Sequence, residues 1–254
     1  MNNERCLGLR FIQELNIVEA VIFTVLVYVA TIVIQVYQPS TGGYFNIGES
    51  MIYLAALVST PLVAGVAGGV GAALADLSTG YAIFAPGTLV IKFVEGYVAG
   101  YLVRLLRGKH GFLYAVLAAA VYTAVFLVIS TILWAGGVYI GPEKWLHLSL
   151  NPVYVEISVV VWITIGVVLG VLVAIILLRK YITTGEMASL AVAGALMVLG
   201  YFLYEYFYSN PVTGREPIAA VLEIPVNIGQ VVVGISVSLP LVAWLRKAGY
   251  FKKY

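Results

Sequence analysis

The chain has 254 residues, 62% of them hydrophobic and 10% charged, with a formal net charge of +2 and a mean hydropathy of +1.01. A soluble domain carries about a quarter charged residues, so this composition excludes one, and the small net charge offers no basic footprint for nucleic acid. The single cysteine, Cys6, excludes an intrachain disulfide and a cysteine-based metal cluster.

Residues 1–15, MNNERCLGLRFIQEL, mix acids with bases and lead into a full-length apolar run at 16–37. That run is longer than a cleavable leader's core, so the first span is expected to be retained. Further spans are expected at 47–60, 62–78, 87–106, 112–135, 153–178, 186–208 and 217–245. Unbroken runs such as 153–178 suit helices near the roughly 20 residues a bilayer requires, and they exclude the short alternating segments of a β-barrel. The expected fold is all-α: a polytopic transmembrane helix bundle of about eight spans in a single membrane domain, 1–254.

The second and third spans are short and turn at Ser59-Thr60-Pro61. About 15 residues rise only about 22 Å of a roughly 30 Å hydrocarbon core, so this hairpin needs shelter from neighbouring helices or a thinned bilayer. Its small residues, with Gly65 and Gly69, Gly96 and Gly100, and Gly166 and Gly170 each four apart, suit close helix packing. They are not a phosphate cradle, because no strand precedes them and no Lys-Ser/Thr follows.

Charge distribution sets the orientation. With eight spans and a cytoplasmic start, the inside set is Arg5, Arg10, Arg104, Arg107, Lys109, Arg179, Lys180, Arg246, Lys247, Lys252 and Lys253, against Lys144 and Arg215 outside. Merging 47–78 into one span reverses that bias. The positive-inside rule therefore favours eight spans with both termini cytoplasmic.

With that orientation the membrane-embedded polar groups fall at one depth, in the outer leaflet. Asn46 and Glu49 open the second span, Asp76 closes the third, and Lys92 and Glu95 lie in the outer half of the fourth. Tyr201 and Glu205 lie in the outer half of the seventh; Glu223, Asn227 and Gln230 share one face of the eighth at spacing i, i+4, i+7. The inner halves carry almost nothing polar. An intramembrane ionisable group costs at least about 2.5–3.5 kcal/mol on insertion scales, so six of them from five helices at one level suggest a pocket opening outward.

Each also has a structural reading. Lys92 and Glu95, i and i+3, can neutralise each other, and Glu49 can cap its helix N-terminus. Asp76, opposed by the dipole at a helix C-terminus, is expected to pair with Lys92 or another donor. Glu205 has tyrosines but no cation near it in sequence, and the Asn227 and Gln230 amides can satisfy a carbonyl freed by Pro225. Tyr44-Phe45 and Tyr81-Phe84, in outer loops, are expected as interface anchors, with a lid that stacks on a flat ligand as the alternative. The fifth and sixth spans look peripheral, suited to lipid or a partner.

No catalytic constellation accompanies these groups. His110 and His147 fall on opposite sides of the membrane, so neither a paired-His metal site nor an enzyme is expected, and no cofactor is implied. A channel would be polar through its full depth, and a carrier usually shows inverted repeats around a midplane site. What remains is a binding site without an engine.

The blocks N-I-G-E (46–49), G-x-x-x-A-L-A-D (69–76), A-P-x-T-L-x-I-K (85–92) and E-G (95–96), with G-Y-F-L-Y-E (200–205) and E-I-P-x-N-x-x-Q (223–230), resemble the substrate-binding (S) subunits of energy-coupling factor (ECF) vitamin transporters, in the riboflavin/hydroxymethylpyrimidine-type branch. The resemblance implies a six-span core, 16–107 and 186–246, with an inserted helical pair at 108–180. It implies a multi-pass cell-membrane protein that binds a small vitamin or vitamin precursor with high affinity, in an outward pocket. Partners would be a transmembrane (T) subunit and two cytoplasmic ATPases. Asn46, Lys92, Tyr201, Glu205, Glu223, Asn227 and Gln230 would line the pocket, supported by Glu49, Asp76 and Glu95. The family often docks through a small-xxx-small motif in its first helix, which Ala20-xxx-Thr24 approximates. Two other classes stay open: a self-sufficient proton-coupled carrier using Glu205 or Glu223, and an assembly protein whose ion pairs are purely structural.

Overall fold

The structure is a computed structural model and describes residues 16–38, 42–133 and 135–250. Cys6, Arg5, Arg10, Lys252 and Lys253 lie outside the described residues. Eight helices of ten residues or more are present among those described: α1 Ile17–Val33, α2 Glu49–Val58, α3 Pro61–Thr79, α4 Ala85–Leu106, α5 Phe112–Leu133, α6 Val159–Leu178, α7 Thr184–Tyr204 and α8 Ile224–Lys247. The fold is thus an all-α polytopic bundle. Five spans, α3, α5, α6, α7 with its extension to Val212, and Pro217–Lys247, are long and apolar enough to cross a membrane. The α4 helix is 22 residues long but carries Lys92, Glu95 and Arg104. The inner and outer ends are named below after the expected orientation.

Local sequence sets the helix ends. Asn16 caps α1 through the Glu19 N–H, and Thr60 caps α3 just ahead of Pro61 at its first position. The left-handed Gly80 (φ +94°) stops α3. Thr183 and Glu186 form a reciprocal capping box on α7.

The α2 helix packs at the centre, against α1, α3, α4 and α8. Around it, α1 packs on α3, α3 on α4, α4 on α7, and α7 on α8. The α5–α6 pair lies on the far side of α8. At ten residues α2 rises only about 15 Å, so it covers half of the hydrocarbon thickness. Its outer half is replaced by the hairpin of β1 (Gln35–Tyr37) and β2 (Tyr44–Asn46), in register Gln35 with Asn46 and Tyr37 with Tyr44. Asn46 therefore sits in a strand rather than opening a helix. The freed carbonyls at the inner end of α2 are taken up by Arg104, which donates to the Ala56 carbonyl, and Arg107, which donates to that of Leu57.

The α3–α4 contact depends on absent side chains. A Cβ at Gly96 would strike the Ala64 carbonyl, and one at Gly69 would strike that of Leu89. Gly166 and Gly170 similarly face Leu127 and Thr123 of α5. Ala20 and the Thr24 carbonyl face into the bundle, Ala20 being buried and Thr24 lying against Gly71 of α3.

Between α5 and α6 lie two small hairpins, β3 (Gly136–Ile140) with β6 (Val153–Ile157), and β4 (Lys144–Trp145) with β5 (Leu148–Ser149); residues 153–157, expected to begin the sixth span, are strand instead, and the helix starts at Val159. The hairpins reach across the outer end of the bundle. The Gly141 N–H donates to the Gln35 carbonyl at 2.8 Å and the Leu146 N–H to that of Ser78 at 2.6 Å. Trp145 Nε1 donates to the Tyr28 hydroxyl at 3.0 Å, and that hydroxyl donates on to Ser78 Oγ at 3.1 Å. These hairpins are thereby tied to α1 and α3.

The inner end is more polar than expected. Glu186 is fully buried and accepts from Arg246 at 2.8 and 3.1 Å, with Arg107 Nε at 3.5 Å. Arg246 also donates to the Tyr181 carbonyl at 2.6 Å. The inner halves thus hold a buried ion network joining α4, α7 and α8, because helix ends there need their carbonyls satisfied.

Replacing Gly96 with Val is expected to destabilise the bundle by about 1–3 kcal/mol through overpacking against the α3 backbone. Chemical unfolding in micelles would measure this against Val90→Leu, a change on an exposed position of the same helix.

Candidate functional site

One cavity in the outer part of the bundle gathers side chains from six segments: Thr31 of α1, Gly43, Tyr44 and Asn46 of the β1–β2 hairpin, Ala72 and Asp76 of α3, Phe84, Thr88 and Lys92 beside and on α4, Tyr201 and Glu205 from α7 and its extension, and Glu223, Asn227 and Gln230 at the start of α8. All seven residues expected as pocket-lining border it, and so does Asp76. Glu49 and Glu95 lie behind the wall.

Lys92 is the centre of that wall. It is 2% exposed and forms an ion pair with Glu49, with Glu95 Oε2 at 3.4 Å. Its ammonium also lies 5.2 Å from the centroid of the Tyr201 ring, within cation–π range. Glu95 accepts from the Tyr53 hydroxyl at 2.9 Å. Expected mutual neutralisation of Lys92 and Glu95 is therefore only part of the arrangement. Glu49 is the closer partner, contributed by the shortened α2, whose N-terminus opens at mid-depth beside the ammonium. The triad holds two carboxylates for one amine.

Of the partners expected for Asp76, Lys92 or another donor, the structure supplies another donor. Asp76 Oδ1 accepts the Tyr44 hydroxyl at 2.6 Å. The reason is spatial: Lys92 is already engaged by two carboxylates, while the hairpin brings Tyr44 over the end of α3. Beside it, Tyr201 donates to Thr88 Oγ1 at 3.0 Å.

A directional relay of amides forms the opposite wall. The Gly48 N–H donates to Asn46 Oδ1 at 2.8 Å, Asn46 Nδ2 to Gln230 Oε1 at 2.8 Å, and Gln230 Nε2 to Asn227 Oδ1 at 2.9 Å. The amides thus bind one another and the hairpin rather than a carbonyl freed by Pro225. Glu223 closes a 3-10 segment, Pro217–Glu223, ahead of α8 instead of lying within the long helix. As the N-cap residue of α8 it reaches the cavity from the helix entrance, beside Asn227 and Gln230.

Glu205 begins a π-helical turn, Glu205–Ser209, in which the Asn210 N–H bonds the Glu205 carbonyl five residues back. The widened turn follows the end of α7 and aims Glu205 at the cavity, a common placement of π-bulges at functional positions. Glu205 is 1% exposed, and its Oε2 has no hydrogen-bond partner.

Tyr44, Phe45 and Phe84 are buried, so they do not serve as interface anchors. Tyr44 and Phe84 line the cavity, which fits the alternative of a covering lid better than interface anchoring, and Thr88 of the A-P-x-T block lines it too. Among the described residues no cluster of three His, Cys, Asp or Glu side chains is arranged to hold a metal.

A family model for the ECF-type riboflavin transporter, S component, matches residues 12–181. The chain belongs to that family. The family is a transporter component and not an enzyme family, and membership agrees with a membrane-embedded bundle. The match takes in α1 to α6 and ends before α7, so Tyr201, Glu205, Glu223, Asn227 and Gln230 stand outside it. An uncharacterised protein of Pyrococcus woesei, described as lying in a gap 3' region, is 48% identical over 75 residues, which cover 30% of this chain and 50% of that protein. The chain thus spans about half the length of the curated relative it matches. No solved structure matches.

Substituting Lys92 with Met would leave Glu49 and Glu95 buried without a counter-charge, at an expected cost of about 3–5 kcal/mol. The triple change Lys92→Met, Glu49→Gln, Glu95→Gln should recover most of that loss in the same unfolding assay. A triple variant as unstable as the single one would show that the ion triad is not the cause.

Proposed function

We propose that this protein is the substrate-specificity subunit of an ATP-driven ECF importer, binding a small vitamin or vitamin precursor in the cavity at the outer end of the bundle. Family membership supports a subunit that works on a vitamin. The observation that carries the site assignment is the meeting of Lys92, Glu205, Glu223, Asn227 and Gln230, with Asn46 and Tyr201, around a single buried cavity. Hydrophilic groups this costly in a membrane helix are retained where they face a partner or a ligand.

The cavity has a volume of about 30 Å³, room for one or two water-sized molecules. A heteroaromatic vitamin therefore requires the β1–β2 hairpin and the segment before α8 to move apart. Binding, orientation and exclusion of water are this chain's contribution. Energy would come from two cytoplasmic ATPases through a T subunit, in the cell membrane, with no chemistry on the ligand. The six-span core, 16–107 and 186–246, supplies every residue of the cavity, while 108–180 stays outside it. Of the two other readings, self-sufficient proton-coupled transport would use Glu205 or Glu223, and it differs in needing no partner.

Mass spectrometry of small molecules retained by the detergent-purified protein is the direct test. A heteroaromatic compound is expected, and Glu223→Gln and Asn227→Ala should each lower its retention about tenfold while the folded yield stays the same. Equal retention in both variants would overturn the site. Uptake into vesicles by the chain alone, abolished by a protonophore, would overturn the importer assignment in favour of the carrier.

A further inference from the structure

Away from the outer cavity, α5 and α7 both pack on α8 but scarcely touch each other. The gap between them is a furrow of about 640 Å³ with α8 as its floor. Exposed Leu117 and Val121 stand on the α5 wall, the small Ala188, Ala191 and Ala195 on the α7 wall, and Val231 lies beneath. Tyr122 also borders it, with its hydroxyl already bonded to Ser236 Oγ of α8. From Thr184 to Val198 the α7 wall rises about 21 Å, more than the roughly 15 Å of one leaflet of the hydrocarbon core.

Only the inner end is charged. Lys109 borders the furrow there, next to Thr184. Its backbone is held in place, because the Lys109 carbonyl accepts the Gly185 N–H and the Thr184 hydroxyl, each at 3.1 Å. A Cβ at Gly185 would strike the Leu106 carbonyl, so the turn between α4 and α5 can sit on the start of α7 only with glycine there. Nearby, Arg107 and Arg246 are engaged by Glu186, whereas the Lys109 ammonium has no ion pair among the described residues.

We infer that this furrow holds one anionic phospholipid of the inner leaflet, its acyl chain between α5 and α7 and its phosphate on Lys109. The polarity along the furrow selects this occupant. An apolar trough with one cation at the membrane surface matches an anionic amphiphile, and basic pockets between helices on the cytoplasmic side take anionic headgroups. A protein helix could pack on the small α7 wall, but packing alone leaves the lysine unanswered. The furrow and the bilayer are equally apolar, so the chain supplies fit while the phosphate supplies selectivity. Lodged there, the lipid fills the gap that α5 and α7 leave between them.

The test is native mass spectrometry of the full chain released from micelles holding equal amounts of phosphatidylglycerol and phosphatidylcholine of one chain length. Thermal unfolding of the same samples is followed alongside. One phosphatidylglycerol is expected to stay bound, favoured at least about fivefold over phosphatidylcholine, the effect of one lysine at a membrane surface. Lys109→Gln should bring that ratio to within about twofold, and Lys109→Arg should keep it. Ala191→Phe, at an exposed position midway along the furrow, should remove retained lipid of either kind. Added phosphatidylglycerol should raise Tm for the natural sequence but not for Ala191→Phe, and inorganic phosphate should raise neither. Equal retention of the two lipids, a ratio preserved in Lys109→Gln, lipid retained in Ala191→Phe, or equal protection by inorganic phosphate would overturn the assignment. A dimer mass lost in Ala191→Phe would also overturn it, giving the furrow to a second copy of the chain.

Discussion

A charge in hydrocarbon must be answered locally, and the outer half of this bundle is arranged around the answer to one such charge. Lys92 is surrounded by side chains from α2, α4 and α7. To reach it, Glu49 must lie at mid-depth, which is possible only because α2 begins there. Stopping α2 halfway in turn leaves space that the β1–β2 hairpin fills, and the hairpin brings Tyr44 to Asp76 and Asn46 to Gln230. Backbone that is neither helix nor barrel is tolerated at such depth only inside protein, and this hairpin is enclosed by α1, α3 and α8. The cavity wall is a consequence of that single pairing rather than a separate invention.

The two ends of the bundle use buried ions differently. At the inner end, Glu186 and Arg246 pair side by side, and the arginine also completes a carbonyl. That network closes on itself and ties helix ends together. At the outer end acid exceeds base, and Asp76 Oδ2 and Glu205 Oε2 in the cavity lining have no hydrogen-bond partner. A closed network suits a fixed joint. An unbalanced one suits a place where something else completes the pairing.

Much of the architecture was legible in the sequence because a bilayer imposes long apolar runs and penalises every charge within them. Helix positions followed from those runs, and the depth of Lys92, Glu205 and Asn227 followed from their place along each run. Pairing was less legible: i, i+3 spacing points Lys92 toward Glu95, but no local pattern announces that Glu49, more than forty residues earlier, comes closer. Two signals were available and overlooked. Thr183-x-x-Glu186 is a capping box that marks Glu186 as buried at a helix start. Asn46 precedes Gly48, where a Cβ would press on Thr31 and Asn46, which fits a turn better than a helix. The π turn at Glu205 and the 3-10 entry at Glu223 left no trace, since both arise from how α7 and α8 meet.

The hairpins between α5 and α6 carry a mechanical consequence. By clasping Gln35, Tyr28 and Ser78, they anchor the first and third helices to α5 and α6. Any motion that widens the entrance must therefore either unclasp this brace or drag a whole helix pair sideways through viscous hydrocarbon.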